Sequence, residues 1–333
     1  MALNIVVLGS GIAGLSSALA LSKNLPSPTP SITIYEVRDA LSDIGGAVNL
    51  TPKALRYLDH LGVLDILHAK GLGAECKTIE IYDLYSGNKY AEVDFRGPYG
   101  NGIGKPGSKE YLAMRVMRCD LQAALLEAVK KQNGTRVVFG KKILRIEERE
   151  GAQAVQLTFQ DGESTISDLL LGCDGIHSAA RKLSVESDRT PKYTGITVVM
   201  SFPTLGPNVH LRWKTTALAS SRRGSFMMSY YEQSRTKQYT TAVMETAEVA
   251  NREGWKVKGS DQKAIKADIL DRFSCHAMPE LEELIGSSGD WTMYPVYALA
   301  PKGKWISEGS RVVLIGGSAH AVSTCMLPSR NIS

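Results

Sequence analysis

The chain has 333 residues, 43% hydrophobic and 22% charged, with a formal net charge of +5 from 39 basic and 34 acidic side chains. That length suits two domains or one elaborate one, with enough apolar residues for a large core. The small basic excess is scattered, which argues against a nucleic-acid partner and suits an anionic cofactor or substrate.

The five cysteines show no C-x-x-C pair and no metal-ligand spacing. No metal site is expected, and dispersed thiols predict a reducing, cytoplasmic setting. The sequon Asn133-Gly134-Thr135 is then expected to be chance. Ala2–Leu21 is apolar but has no basic leader and is broken by glycines, so a buried strand and helix are expected rather than a signal peptide. No other stretch is long and apolar enough to span a bilayer, and a soluble protein is expected.

Asn4–Leu8 predicts a buried parallel strand, Gly9–Gly14 a turn and Leu15–Lys23 a helix. Pro26, Pro28 and Pro30 make the next stretch a loop, and Ser31–Tyr35 predicts a second strand. This is a β-α-β unit, right-handed when its strands are parallel. The turn reads Gly9-Ser10-Gly11-Ile12-Ala13-Gly14. Its first glycine serves the tight turn, its second the approach of a pyrophosphate, and its third close helix–strand packing. The helix N-terminus offers free N–H groups and partial positive charge to phosphates. Glu36 closes the second strand, where a carboxylate accepts hydrogen bonds from a ribose diol and repels a 2′-phosphate. The combination favours the adenosine of FAD or NAD over that of NADP.

Further along, Pro52–Leu61 predicts a helix, Thr78–Phe95 antiparallel strands and Gly97–Gly107 a loop. Cys119–Lys131 predicts an amphipathic helix with Leu121, Ala124, Leu125 and Ala128 on one face. Strands are expected at Val137–Phe139, Ile143–Ile146, Val155–Phe159 and Leu169–Leu171, the last running into a turn at Asp174-Gly175. Between 192 and 300 the alternation stops. Strands at Thr197–Phe202 and Tyr239–Met244 and a single helix at Gln262–Phe273 are expected there, before Arg311–Ile315 returns to a buried strand. No repeat or low-complexity tract is present.

Four separated segments resemble FAD-dependent monooxygenases of the para-hydroxybenzoate and salicylate hydroxylase type. They are the glycine loop with Glu36; Ile44-Gly45-Gly46-Ala47-Val48-Asn49-Leu50-Thr51-Pro52; Met117-Arg118-Cys119-Asp120-Leu121, like the family's Arg-x-x-Leu; and Asp168 to Ser178 with its Asp174-Gly175. The resemblance implies an α/β fold: a Rossmann-type FAD-binding domain (1–75, 108–190 and 301–333) interrupted by a β-sheet substrate domain (76–107 and 191–300). It implies FAD contacts at Gly9, Gly11, Gly14, Glu36, Ala47, Arg118, Asp174 and Gly317, and it assigns no catalytic residue. Physically, Arg118 is either a contact to phosphate or ribityl or a solvated charge opening a helix. Asp174 either touches the cofactor or caps the following segment, and Arg181 can hold that loop. Tyr230, Tyr231 and Trp213 are either cavity walls or core, and His320 is expected in a turn.

The family's fifth motif, Gly-Asp-x-x-His-x-x-x-Pro, reads Gly316-Gly317-Ser318-Ala319-His320-Ala321-Val322-Ser323-Thr324. Gly317 replaces the Asp expected at the ribityl chain and Thr324 replaces the Pro. The family continues into a glycine-rich turn and a long helix where this chain stops at Ser333. A shortened gene product that hydroxylates poorly is therefore expected. The activity implied by the resemblance is hydroxylation of an aromatic small molecule with FAD, NAD(P)H and O2, closest to enzymes that tailor fungal aromatic natural products. Other flavin-dependent dehydrogenation or oxidation on the same fold, and a non-catalytic remnant, are the rival readings.

Overall fold

The computed structural model describes residues 2–26, 28–41, 45–104, 108–149, 153–204 and 211–321. In chain order its first half holds β1 (Asn4–Leu8), α1 (Ile12–Asn24), β2 (Ser31–Tyr35), β3 (Ala47–Leu50), α2 (Pro52–His60) and α3 (Val63–Ala69). Next come β4 (Ala74–Cys76), β5 (Thr78–Asp83), β6 (Lys89–Asp94), β7 (Ala113–Met117), α4 (Arg118–Lys130), β8 (Thr135–Val138), β9 (Ile143–Arg149), β10 (Ala154–Phe159), β11 (Ser164–Ser167) and β12 (Leu169–Gly172). A π-helical turn, Arg181–Val185, leads to β13 (Lys192–Ser201), β14 (Thr216–Ser221), β15 (Gly224–Tyr230) and β16 (Gln238–Glu245). The last elements are α5 (Arg252–Ser260), α6 (Gln262–Phe273), α7 (Pro279–Ser287), β17 (Thr292–Ala298), β18 (Val312–Leu314) and the one-turn α8 (Gly317–His320).

The strands at the two ends and in the middle of the chain form one parallel sheet of order β18-β12-β1-β2-β8. Alternation along each strand feeds two cores. Ile5, Val7, Ile32 and Ile34 pack under the helices with Leu15, Leu121 and Leu125. Val6, Leu8, Tyr35 and Leu170 face the other way, onto Val155, Leu157 and Phe159 of the antiparallel sheet β11-β10-β9. Helices, parallel sheet and antiparallel sheet thus form three layers. Both faces of the central strands are buried, which is why they read as continuous apolar runs.

The β-rich middle folds into a seven-stranded sheet, β17-β13-β16-β15-β14-β5-β6, backed by α6 and α7 around Phe226, Ile269, Phe273 and Leu281. A small sheet, β3-β7-β4, lies between the parallel sheet's helical core and this larger sheet. From the sequence one helix is expected between 192 and 300, and three are present among the described residues. The helix α7 carries its own start signals, a proline at its first turn with Glu280 and Glu282, and buries Leu281, Leu284 and Ile285. The helix α5 contains Gly254 and Gly259, which hide it from a propensity reading; the Asn251 side chain caps it and buried Trp255 anchors it. Trp213 packs in the core of the larger sheet, at 3% exposure. His320, expected in a turn, closes the one-turn α8 and its ring lies 5.3 Å from that of Trp305.

Candidate functional site

A cleft of about 350 Å³ opens at the C-terminal edge of the parallel sheet. It sits where β1 has β2 on one side and β12 on the other, the place where a doubly wound sheet leaves a crevice. Its walls bring together residues far apart in sequence, among them Gly9, Gly11, Glu36, Arg118 and Asp174.

The three glycines of the loop do different things. Gly9 has φ +99°, and a Cβ there would lie 2.6 Å from the Cys173 carbonyl oxygen. A Cβ on Gly14 would lie 1.9 Å from the Gly9 carbonyl oxygen, so helix and turn touch through it. Gly11 differs from both. It caps α1 with an ordinary φ of −68°, and a Cβ there would meet nothing within 4 Å. The fold itself makes no demand for glycine at position 11. The open space in front of it lies in the cleft at the start of a thirteen-residue helix, where a pyrophosphate fits against free N–H groups.

Glu36 is buried, and its carboxylate is fixed by the same loop. Oε2 accepts from the Ser10 backbone N–H at 2.8 Å and from the Ser10 hydroxyl at 2.9 Å, while Oε1 accepts from the Arg38 N–H at 3.1 Å. The remaining lone pairs of Oε1 are left for a diol. Gln122, one turn beyond Arg118 on α4, donates its amide to the Ser10 carbonyl at 2.8 Å, and its buried Oε1 has no hydrogen-bond partner. Ser10 and Gln122 were not singled out from the sequence. The i, i+4 spacing of Gln122 from Arg118 on the helix that opens at the cleft was the available signal.

Arg118 is the first residue of α4, and its half-buried side chain lines the cleft. Its N–H donates to the Gly46 carbonyl at 3.1 Å, which ties the start of β3 to the cleft. Gly45, at φ +135°, lies against the Arg118 side chain, with 3.1 Å from its would-be Cβ to Cδ. Ala47 lies outside the cleft lining and packs with Met200 and Tyr239 toward the larger sheet. Ile44, at the start of that stretch, lies outside the described residues.

The Asp174 side chain caps the segment that follows it, and the residue also lines the cleft. Oδ1 accepts from the Ser178 hydroxyl at 2.5 Å, and Oδ2 accepts from the N–H groups of Ala179 at 2.6 Å and Ala180 at 3.1 Å. Arg181 holds the same loop, donating to the carbonyls of Ile176 at 2.6 Å, Ser318 at 2.8 Å and Arg189 at 3.0 Å. The bond to Ser318 locks α8 onto the Asp174 turn. Gly317 stands beside that turn, its would-be Cβ 3.5 Å from Gly175 Cα and Ile176 N, which is ordinary contact. Val322 to Thr324 of the fifth motif lie outside the described residues. Burial, then the Asp174 charge, push the thiol of the neighbouring Cys173 up to about 12. Among the described residues no His/Cys/Asp/Glu group could hold a metal ion. No helix of the described residues is long and apolar enough to cross a membrane.

Sheet and cleft together define a dinucleotide-binding protein of the Rossmann type. Over residues 2–326 the chain matches the family model described as FAD binding domain. The chain belongs to this family of FAD-binding domains, and FAD is its cofactor. It is 30% identical over 190 residues to an FAD-dependent urate hydroxylase of Klebsiella pneumoniae, covering 57% of this chain and 45% of that one. It is 23% identical over 338 residues to 3-hydroxybenzoate 6-hydroxylase of Klebsiella oxytoca, covering 96% of this chain and 74% of that one. The chain thus spans less than half of the first of these relatives. Among solved structures, HpxO of Klebsiella pneumoniae complexed with FAD and uric acid superimposes with a TM-score of 0.74 at 23% identity, over 96% of this chain and 74% of that one. A salicylate hydroxylase substrate complex superimposes at 0.71 and 20% identity, again over 96% and 74%. These likenesses establish the shared fold.

Proposed function

We propose that the chain is an FAD-dependent monooxygenase that uses NAD(P)H and O2 to hydroxylate an aromatic small molecule. The observation that carries the FAD part of the reading is the empty space before Gly11, in a cleft that also presents Glu36 and Arg118. In this reading the α1 N-terminus and the Gly9–Gly14 loop receive the pyrophosphate, Glu36 accepts from the adenosine ribose, and Arg118 reaches phosphate or ribityl oxygen. Asp174 acts through its turn, by fixing the backbone of Gly175 and Ile176 at the cleft wall. FAD held by these residues would supply the redox chemistry of the reaction.

The aromatic substrate is supported by the relatives, whose names include an FAD-dependent urate hydroxylase, a 3-hydroxybenzoate 6-hydroxylase and a 6-hydroxynicotinate 3-monooxygenase. A role in natural-product tailoring or aromatic catabolism belongs to the same reading. The division into an FAD-binding part (1–75, 108–190, 301–333) and a substrate part (76–107, 191–300), and the cytoplasmic setting, are kept with it. The test is an absorption spectrum of the purified chain, followed by turnover of candidate aromatics under labelled O2. Oxidised-flavin absorbance and label in the product are the expected results. Bound flavin with an unlabelled oxidised product overturns the hydroxylase reading in favour of a dehydrogenase or oxidase.

A further inference from the structure

The sequon Asn133-Gly134-Thr135 lies away from the cofactor cleft, and its first two residues carry chemistry of their own. A glycine that follows an asparagine has no Cβ to hinder its backbone nitrogen from reaching the asparagine side-chain carbonyl. The sequence holds two such pairs, Asn101-Gly102 and Asn133-Gly134. The fold holds them differently.

Gly102 is buried at φ +129°, and its N–H donates to the Arg96 carbonyl at 2.7 Å. A Cβ there would collide with the Tyr111 backbone. The Gly102 nitrogen is thus clamped between Arg96 and Tyr111, and turning it toward the Asn101 side chain would break a buried hydrogen bond. Asn133 and Gly134 are both exposed, in the turn that joins α4 to β8. The Gly134 carbonyl accepts from the Ile32 N–H at 2.8 Å, which ties the turn to the start of β2. Its own N–H, like the Asn133 side chain, makes no hydrogen bond among the described residues. The nucleophile and its target are neighbours, both in water and both unrestrained.

We propose that Asn133 is a self-modifying site, deamidated by attack of the Gly134 backbone nitrogen on the Asn133 side-chain amide. The new N–C bond forms as the Asn133 Cγ–Nδ2 bond breaks, and the Gly134 proton leaves with the amide nitrogen as ammonia. Water then opens the resulting cyclic imide at either carbonyl, giving aspartate or isoaspartate. One water enters and one ammonia leaves, with no oxidation or reduction. The nitrogen must lose its proton to attack, so the rate rises with pH. Either product adds a negative charge to the turn. Isoaspartate also inserts a methylene into the main chain directly before Gly134. That shifts the carbonyl holding Ile32 and loosens the first rungs of the β2–β8 pairing.

The experiment incubates the full chain at neutral and mildly alkaline pH, folded and in denaturant. Peptide mass and isoaspartyl-methyltransferase labelling then read each asparagine. In the folded chain Asn133 is expected to convert several-fold faster than Asn101, and faster at the higher pH. In denaturant, where the Arg96 clamp is gone, the two should convert at similar rates. Asn133→Gln, which would need a larger ring, should show no conversion at 133 and keep its melting temperature through an incubation that lowers the parent's. Asn101 converting as fast as Asn133 in the folded chain overturns the proposal, as does Asn133 staying intact in the folded chain while the denatured arm converts. Parent protein that carries isoaspartate at 133 and melts like fresh protein overturns the loosening of β2 from β8. None of these readouts depends on the monooxygenase reading.

Discussion

Glu36 reaches back across the glycine loop to Ser10, and its Oε2 accepts both the backbone N–H and the hydroxyl of that residue. The acid at the end of the second strand therefore shapes the phosphate loop as well as offering an acceptor to ribose. Glu36→Gln keeps the size but presents an amide N–H₂ toward groups that are themselves donors. The expected outcome is a loss of about 1–2 kcal/mol in stability and a roughly tenfold weaker FAD affinity. Chemical denaturation and flavin-fluorescence titration check the two parts; unchanged affinity counts against the ribose contact.

Arg118→Ala is expected to act on binding and leave folding alone. Its side chain lines the cleft, and none of its side-chain contacts among the described residues is an ion pair. Loss of one charge-assisted contact predicts about 1.5–3 kcal/mol weaker FAD binding, or roughly 10- to 150-fold. A variant whose melting point drops while FAD affinity holds contradicts this.

Arg181→Met is predicted to behave in the opposite way. It removes three donors from the carbonyls of Ile176, Arg189 and Ser318 and frees α8 from the Asp174 turn. Stability should fall by about 3 kcal/mol, which lowers Tm by several degrees at roughly 2–4 °C per kcal/mol. A calorimetric scan matching the parent's contradicts the locking role.

Gly317→Asp is expected to fold normally, because the added Cβ makes only ordinary contact with Gly175 and Ile176. The new carboxylate stands beside the turn that lines the cleft, where the family resemblance puts a ribityl contact. Tighter FAD retention on dialysis is the predicted result. Retention equal to the parent's argues against a ribityl contact at this position.

Much of this was legible in the sequence, for identifiable reasons. The strands Asn4–Leu8 and Ser31–Tyr35 were read to the residue, since strands buried on both faces leave long β-branched runs with glycine and proline at their ends. The helix Gln262–Phe273 was equally plain, and its start is capped by Asp261. The strands Thr216–Ser221 and Gly224–Tyr230 were missed because alanine, serine and methionine carry little β signal, and pairing with neighbours decides their state. In the site, the glycine loop and Glu36 announce themselves by spacing, whereas Gln122 has only its i, i+4 spacing from Arg118, and its bond to Ser10 appears when the fold brings α4 against the loop.

Two glycine variants of one loop separate folding from binding of the FAD pyrophosphate in the cleft before Gly11. Gly14→Ala pushes a methyl into the Gly9 carbonyl and should cost about 1–3 kcal/mol of stability. Gly11→Val meets no protein atom in the immediate space and has an ordinary φ, so it should fold much as the parent does. Titration of each apoprotein with FAD, followed by flavin fluorescence, is the decisive measurement. Gly11→Val is expected to melt close to the parent yet lose most of its FAD affinity; affinity equal to the parent's would mean that the pyrophosphate does not approach the backbone there.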